Sequence, residues 1–462
     1  MSQPSRSHNP DLPVQGELRR IVKVAFPLAL YYLTEVAMGI TDMVIVGRLG
    51  STELAAVGLT ASIVIEFIVV GFGLLSIVGV LSSQSLGEGD HQGVSDTVGQ
   101  GLQIAILLAA LVLLTSLWIP DLLTATGQDP EVVRLASEYL AWMIWVTPLA
   151  LTFGIFRSFL TVLSLTRIIA MVTFPAVGLN LLLNWLFVFG VGPFPMMGVA
   201  GAGLASILVN LCMVLSLFAY VRLQSECRQY DLLGGLLQWR PSIWSQIFKL
   251  GTPVGMTAVL EGGLFVVVGI MMGTLGAEWL AANEILFHMI PVAFVIALAI
   301  GESAAVRIAY HRGARNAGMP LWIARRALIL GCVVMLLSAM VLWFFPNIIV
   351  ALFVDANDPD NANVVAIVVA LASIAAIFQL ADGIQVITAW CLRGLKDTLV
   401  PMLIASVGYW VCGLGTGYWF GFVKGYGAQG VWWGLAVGLI MTAILLLIRL
   451  YRRMKGLENL AV

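Results

Sequence analysis

The chain has 462 residues, of which 60% are hydrophobic and only 11% charged. Soluble domains carry about 25% charged residues, so the composition excludes a water-soluble globule and indicates a polytopic membrane protein. The net charge of −1 leaves nothing to attract nucleic acid.

Residues 1–20 are polar and contain Pro4, Pro10 and Pro13, which predicts an N-terminal tail. No short apolar stretch with a small-residue cleavage site follows it. The first apolar run is full length and reads as an uncleaved signal anchor. Twelve segments then meet the length of about 20 residues that a crossing needs: 21–47, 54–84, 94–117, 134–156, 165–190, 199–221, 246–274, 279–309, 321–345, 363–392, 399–421 and 429–450. Runs this long cannot be the strands of a membrane barrel, which alternate over about 10 residues. The predicted fold is an all-α membrane protein with twelve transmembrane helices.

With the N-terminus inside, all but three of the 24 Lys and Arg fall in cytoplasmic stretches or at cytoplasmic helix ends. The exceptions are Arg48, Arg134 and Lys424. This asymmetry predicts that both termini are cytoplasmic. The outer loops are acidic instead, as in "VDANDPDN" at 354–361.

The chain also repeats itself. At a constant shift, "IVKVAFPLALYYLTEVAMGITDMVIVGRLGSTELAA" (21–56) overlies "IFKLGTPVGMTAVLEGGLFVVVGIMMGTLGAEWLAA" (247–282). Pro27 meets Pro253, Glu35 meets Glu261, Gly87 meets Gly313, Arg167 meets Arg393 and Pro175 meets Pro401. After three extra residues, "GVAGAG" (198–203) overlies "GAQGVW" (427–432). Six helices is an even number, so both halves start on one side and their pseudo-two-fold axis runs along the membrane normal. The expected units are an N-lobe at 21–221, a cytoplasmic linker at 222–245, a C-lobe at 246–450 and a tail at 451–462. Two such bundles leave a cleft between them.

Acidic residues inside the spans suggest the chemistry. Glu35 and Asp42 lie seven residues apart on the first helix, on one face and roughly 10 Å apart along the axis. Glu261 is in the seventh segment and Asp382 in the tenth, where Gln379 and Gln385 extend a polar stripe. Glu284 lies near the outer mouth, either as a cation-attracting rim charge or simply solvated. Glu66 and Glu302 read as structural or water-exposed. Basic residues, Arg157 and Arg393 among them, fall at cytoplasmic helix ends, so no Lys or Arg is expected to pair with the interior carboxylates. A carboxylate in hydrocarbon costs several kcal/mol unless it is protonated, hydrated or paired. These residues are therefore candidates to carry protons or to bind Na+ (at Glu261 and Asp382) or an organic cation. Asn180 and Asn184, spaced i, i+4, point one way. They either hydrogen-bond between helices or offer carbonyl oxygens to a cation. Among the aromatics, Tyr31 and Trp390 are candidates to line the cleft, because ring faces attract cations.

Other motifs lead nowhere. "GEGD" at 87–90 matches an intramembrane aspartyl protease signature but falls in a polar loop. There is no phosphate-binding loop, so no ATP drive, and the histidines lack zinc spacing. The five cysteines mostly sit in apolar runs and read as packing residues. Neither an enzyme nor a cofactor is expected.

Four motifs together resemble the multidrug and toxic compound extrusion (MATE) family, its NorM-type branch above all: "GITDMVIVGRLG" in the first helix, "GLNLLLNWLFVFG" in the fifth, "KLGTPVGMTAVLEGGLF" in the seventh and "FQLADGIQVITAWCLRGLKDT" in the tenth. The resemblance covers nearly the whole chain. It implies two six-helix lobes and antiport of organic cations against Na+ or H+, in a bacterial inner membrane. Asp42, Glu261 and Asp382 match the family's ion-coupling acids, and Asn180 and Asn184 match its fifth-helix asparagines. Two carboxylates depart from the pattern. NorM-type members often have an uncharged residue where this chain has Glu35, and "AANE", with Glu284, replaces a common "AAHQ". A monomer acting on small organic cations within the bilayer is expected. The nearest rival is a lipid-linked saccharide flippase of related two-lobe fold, which would be expected to place Arg or Lys in the cleft.

Overall fold

The computed structural model describes residues 14–316, 318–351, 353 and 361–459. The acidic 354–360 run and the outermost tail residues lie outside that set. Twelve helices among the described residues are long and apolar enough to cross a membrane. They are α1 (Val14–Gly47), α2 (Ser51–Glu88), α3 (His91–Ser116), α4 (Pro130–Val162), α5 (Arg167–Phe189), α6 (Gly198–Leu223), α7 (Pro241–Leu275), α8 (Ala277–Gly313), α9 (Met319–Phe344), α10 (Ala362–Gly394), α11 (Leu399–Val423) and α12 (Gly427–Asn459). No strand occurs among the described residues.

Local sequence explains the breaks. The GEGD stretch is a stop-and-start signal between helices. Gly89, at φ 78°, closes α2 in the left-handed region that glycine tolerates. Asp90 then opens α3 by accepting a hydrogen bond from the Gly93 amide at 2.8 Å. In α4 the helix is interrupted between Met143 and Val146. Pro148 has no N–H to return to the Ile144 carbonyl four residues back, so the ladder fails there. Helix α1 begins at Val14, inside the stretch read from sequence as tail. The linker is also partly helical, at Ser225–Arg228 and Leu232–Leu237. It is tied to α3, where the Gln100 amide donates to Gly235 O at 2.9 Å and the Gln103 amide to Leu236 O at 2.6 Å.

Helices α11 and α12 pack glycine on glycine. A methyl group at Gly434 would lie 2.2 Å from the Gly417 Cα, and one at Gly438 would lie 2.6 Å from the Gly413 Cα. Small residues spaced by four allow this approach in lipid, where no hydrophobic force drives helices together. Within α11, Val407–Leu414 and Trp419–Val423 are wound as π-helix.

The lobes meet at the end that bears the chain termini. One apolar core there joins α1 (Ile21, Leu28), α2 (Ile77, Leu81), α8 (Ile300, Ile308) and α10 (Ile387, Leu392). At the opposite end each lobe has its own core, one around Val57, Tyr139 and Val188 and the other around Met272, Phe378 and Trp432. A shared core at one end and separate cores at the other describe a V. The α2–α7 contact runs from Leu74 against Gly251, through Gly73 against Gly255, to Glu66 against Gly262. Near the vertex α2 and α8 cross reciprocally. A methyl at Gly87 would lie 2.1 Å from the Tyr310 carbonyl oxygen, and one at Gly313 would lie 2.1 Å from that of Gln84. Residues 84 and 87 correspond to 310 and 313 in the repeat, so this crossing lies on the pseudo-two-fold axis.

Candidate functional site

In the N-lobe, Asp42 on α1 is met by three polar side chains. Asn184 and Asn180 of α5 donate their amides to its Oδ1 at 2.7 and 3.0 Å, and Ser206 of α6 donates to its Oδ2 at 3.4 Å. The i, i+4 spacing of the asparagines therefore serves a carboxylate on another helix. Their own Oδ1 atoms are buried and have no hydrogen-bond partner. The donors are neutral amides and a hydroxyl, so they bring no positive charge to Asp42, which has no ion-pair partner among the described residues. Glu35, two turns earlier, is half-buried and makes no hydrogen bond or ion pair among the described residues.

In the C-lobe, α7 supplies Glu261, half-buried, and α10 supplies Asp382, 6% exposed. The field of each carboxylate reaches Tyr409 on α11, and that of Glu261 reaches Asp382. Tyr409 accepts a hydrogen bond at 2.7 Å from the Gln385 amide. Trp410, next in sequence, donates to the Leu260 carbonyl at 3.2 Å and holds α11 against the turn that carries Glu261. Glu66 enters from the N-lobe: its carboxylate oxygen would lie 2.8 Å from a methyl at Gly262. Neither Glu261 nor Asp382 has an ion-pair partner among the described residues. Gln379 is 1% exposed, and neither polar atom of its side chain has a partner. Glu284 is exposed on α8 and joins neither cluster.

The structure corrects two expectations. The interior is not free of arginine. Arg157 lies one residue beyond the fourth predicted span and reads from sequence as a cytoplasmic helix end, but α4 continues to Val162. It is buried against Glu302 of α8, at 2.6 Å, with the side chains 7% and 5% exposed. Glu302 also accepts from the Tyr32 hydroxyl at 2.7 Å, so it is a buried, paired carboxylate in the closed end and not water-exposed, the other reading from sequence. The Arg393 guanidinium carbon lies over Trp390, 4.4 Å from the ring centroid. Tyr31 and Trp390 are the second correction. Both are buried in the shared core below the cleft. Tyr31 lies under the Arg157 guanidinium at 5.3 Å, and Trp390 packs on Gly301. Their apolar faces are used in closing the vertex.

Sequence reasoning also missed Ser206, which looks like any serine in a membrane helix, and Glu17. The latter pairs with Arg307 at 2.7 Å across the α1–α8 contact.

Comparison with known proteins bears on this arrangement. A model of the MatE family matches residues 27–186 and again 253–419, one copy per lobe at the offset of the internal repeat. The "Probable multidrug resistance protein NorM" of Burkholderia mallei is 36% identical over 440 residues, covering 94% of this chain and 92% of that protein. The protein of the same name from Synechocystis is 32% identical, covering 97% of each. Among solved structures, a MATE transporter in a bent conformation superposes with TM-score 0.87 at 18% identity, covering 97% of this chain and 98% of that one. The structure titled as the outward-facing conformation of a multidrug resistance MATE family transporter superposes with TM-score 0.86 at 19% identity, covering 96% and 97%. At these identities the structures establish the fold.

Proposed function

The chain belongs to the MatE family of membrane transporters, and from that premise we propose that it exports organic cations and drugs in exchange for H+ or Na+. The carrying observation is the pair Glu261 and Asp382: two carboxylates in the membrane interior, on α7 and α10, with the charge of Glu261 acting on Asp382 and neither of them in an ion pair among the described residues. Two adjacent negative charges in a low dielectric oppose each other and call for a proton or a cation. A Na+ ion there would take carboxylate oxygens, with the Tyr409 hydroxyl at hand. Asp42 and Glu35 offer the N-lobe counterpart, for cargo or for a second ion. The names of the relatives, multidrug resistance proteins, support cargo of this kind.

The V supports alternating access. On the reading that both termini are cytoplasmic in a bacterial inner membrane, the end with separate cores faces outward. Rocking the lobes about the vertex would open the cytoplasmic end. One chain supplies both walls of the cleft, so a monomer suffices. One charge moving down 100 mV yields about 2.3 kcal/mol, enough for useful accumulation ratios with one or two ions. As for the flippase alternative, Arg157 is consumed by Glu302, and Arg393 is stacked on the buried Trp390.

The test uses purified protein in liposomes loaded with a fluorescent organic cation, with pH and Na+ gradients imposed separately. Movement driven by one gradient identifies the ion. Normally expressed Glu261→Gln and Asp382→Asn variants should lose that movement. Dye that moves under neither gradient, or variants that export at full rate, would refute the reading.

A further inference from the structure

The ionic contacts across the vertex do more than hold the lobes together. Arg157 belongs to the N-lobe and Glu302 to the C-lobe, and they share two hydrogen bonds, at 2.6 and 2.7 Å. Any motion that opens the terminus-bearing end must separate them. Both are buried. Leaving them without partners would disfavour the open state by roughly a hundredfold to a thousandfold. A transporter that cycles needs replacement partners, and each lobe holds one.

On the N-lobe side the replacement is Glu35. Arg157 lies over Tyr31 and Tyr32 at 5.3 and 5.4 Å. Glu35 is one helical turn beyond them on the same face of α1, and Arg157 is the charge whose field reaches it. The Arg157 Nε is buried and has no partner, so the guanidinium keeps a donor in reserve. On the C-lobe side the replacement is Arg393. It makes no ion pair among the described residues, and it stacks on Trp390, whose side chain would lie 3.0 Å from a methyl at Gly301. Gly301 precedes Glu302, so the indole on which Arg393 stacks packs against the turn of α8 that carries Glu302. The fields of Glu302 and Glu261 both reach Arg393.

We infer that the Arg157–Glu302 pair is a latch that opens by partner exchange, Arg157 passing to Glu35 within the N-lobe and Glu302 to Arg393 within the C-lobe. The inference rests on the export reading and gives it a coupling rule. A cationic cargo at Glu35 competes with Arg157 and keeps the latch shut, which favours the outward-open state. An ion at Glu261 removes that carboxylate's hold on Arg393 and frees it for Glu302, which favours opening at the other end. The two ligands bias the latch in opposite directions, which is what exchange requires.

Spin labels at Leu223 and Arg325, both exposed at the terminus-bearing end of opposite lobes, report lobe separation in a cysteine-free background reconstituted in nanodiscs. Removing one partner with Glu302→Gln should raise the open population by about a hundredfold. The reversed pair, Arg157→Glu with Glu302→Arg, should restore closure but not dye export, because Glu at 157 faces Glu35 and Arg at 302 faces Arg393. A structural ion pair would recover both; export at the parental rate in the reversed variant overturns the exchange. Should that variant fail to fold, Arg393→Gln decides. It keeps the latch and every carboxylate, so it should show the parental closed distance without the coupling ion yet open at least about tenfold less in its presence. Parental opening in Arg393→Gln refutes the inference. If the unmodified protein moves no dye, the export reading fails, and the distance measurements still decide the latch.

Discussion

The reciprocal glycine crossing can be tested by adding a single methyl group. In Gly313→Ala the new carbon would lie 2.1 Å from the Gln84 carbonyl oxygen and 3.1 Å from the Glu88 amide nitrogen. The first distance is well over 1 Å inside the contact distance of about 3.5 Å between such atoms. The obstructing atoms are backbone on both sides, so no side chain can rotate away. Overpacking of this kind costs about 1–3 kcal/mol. Here the lobes can relieve it by parting at this end, so about 2 kcal/mol should appear as a roughly thirtyfold rise in the fraction open at the terminus-bearing end. Gly87→Ala meets the Tyr310 carbonyl at the same 2.1 Å and should have an effect of the same size. The double variant should fall short of the sum, because one separation relieves both clashes. Gly269→Ala, on α7 with nothing within 4 Å, should leave the distance between labels at Leu223 and Arg325 unchanged. Identical distance distributions in the parent and in both clashing variants would refute the idea that this crossing sets closure.

Asn184→Leu removes the shorter of the two amide donors to Asp42. It should cost about 1–3 kcal/mol, seen as a lower thermal midpoint in detergent, whereas Ser206→Ala, at the longer 3.4 Å contact, should change the midpoint far less. Gly434→Leu drives a side chain into the Gly417 backbone. It should destabilise the C-lobe by at least about 1–3 kcal/mol, with hydrogen exchange accelerated in α11 and α12 and unchanged in α5 and α6.

The architecture was legible because lipid imposes a simple rule: a crossing needs a long apolar run, and twelve such runs can be counted. The repeat was legible because prolines, glycines and Glu35/Glu261 recur at a fixed offset. Helix ends were less so. Nothing in composition distinguishes a helix that stops at the membrane surface from one that runs on, as α1 does from Val14 and α4 does to Val162. The predicted fourth span stops one residue short of Arg157, which hid that residue and with it the partner of Glu302. The asparagine pair showed its shared face, but not Asp42 as its target, since that depends on how α1, α5 and α6 pack. Tyr31 and Trp390 were assigned to the cleft because a cation would favour them there. Their burial follows from which end of the V is closed, and a single sequence does not specify that.

The π turns of α11 have a consequence for the kinship of the two halves. The second half is three residues longer than the first between its proline (Pro401 against Pro175) and the glycine that starts the next helix. Yet its connecting loop is shorter: residues 424–426 link α11 to α12, whereas 190–197 link α5 to α6. The surplus was absorbed within the helix, where a π turn accommodates an added residue without breaking the chain of hydrogen bonds. Tyr409 and Trp410, which reach Gln385 and the turn of Glu261, stand on that widened stretch. Whatever duplication produced the lobes, they are no longer interchangeable parts. A tandem of two first halves would close on the same axis and lack the wall against which the C-lobe carboxylates are set.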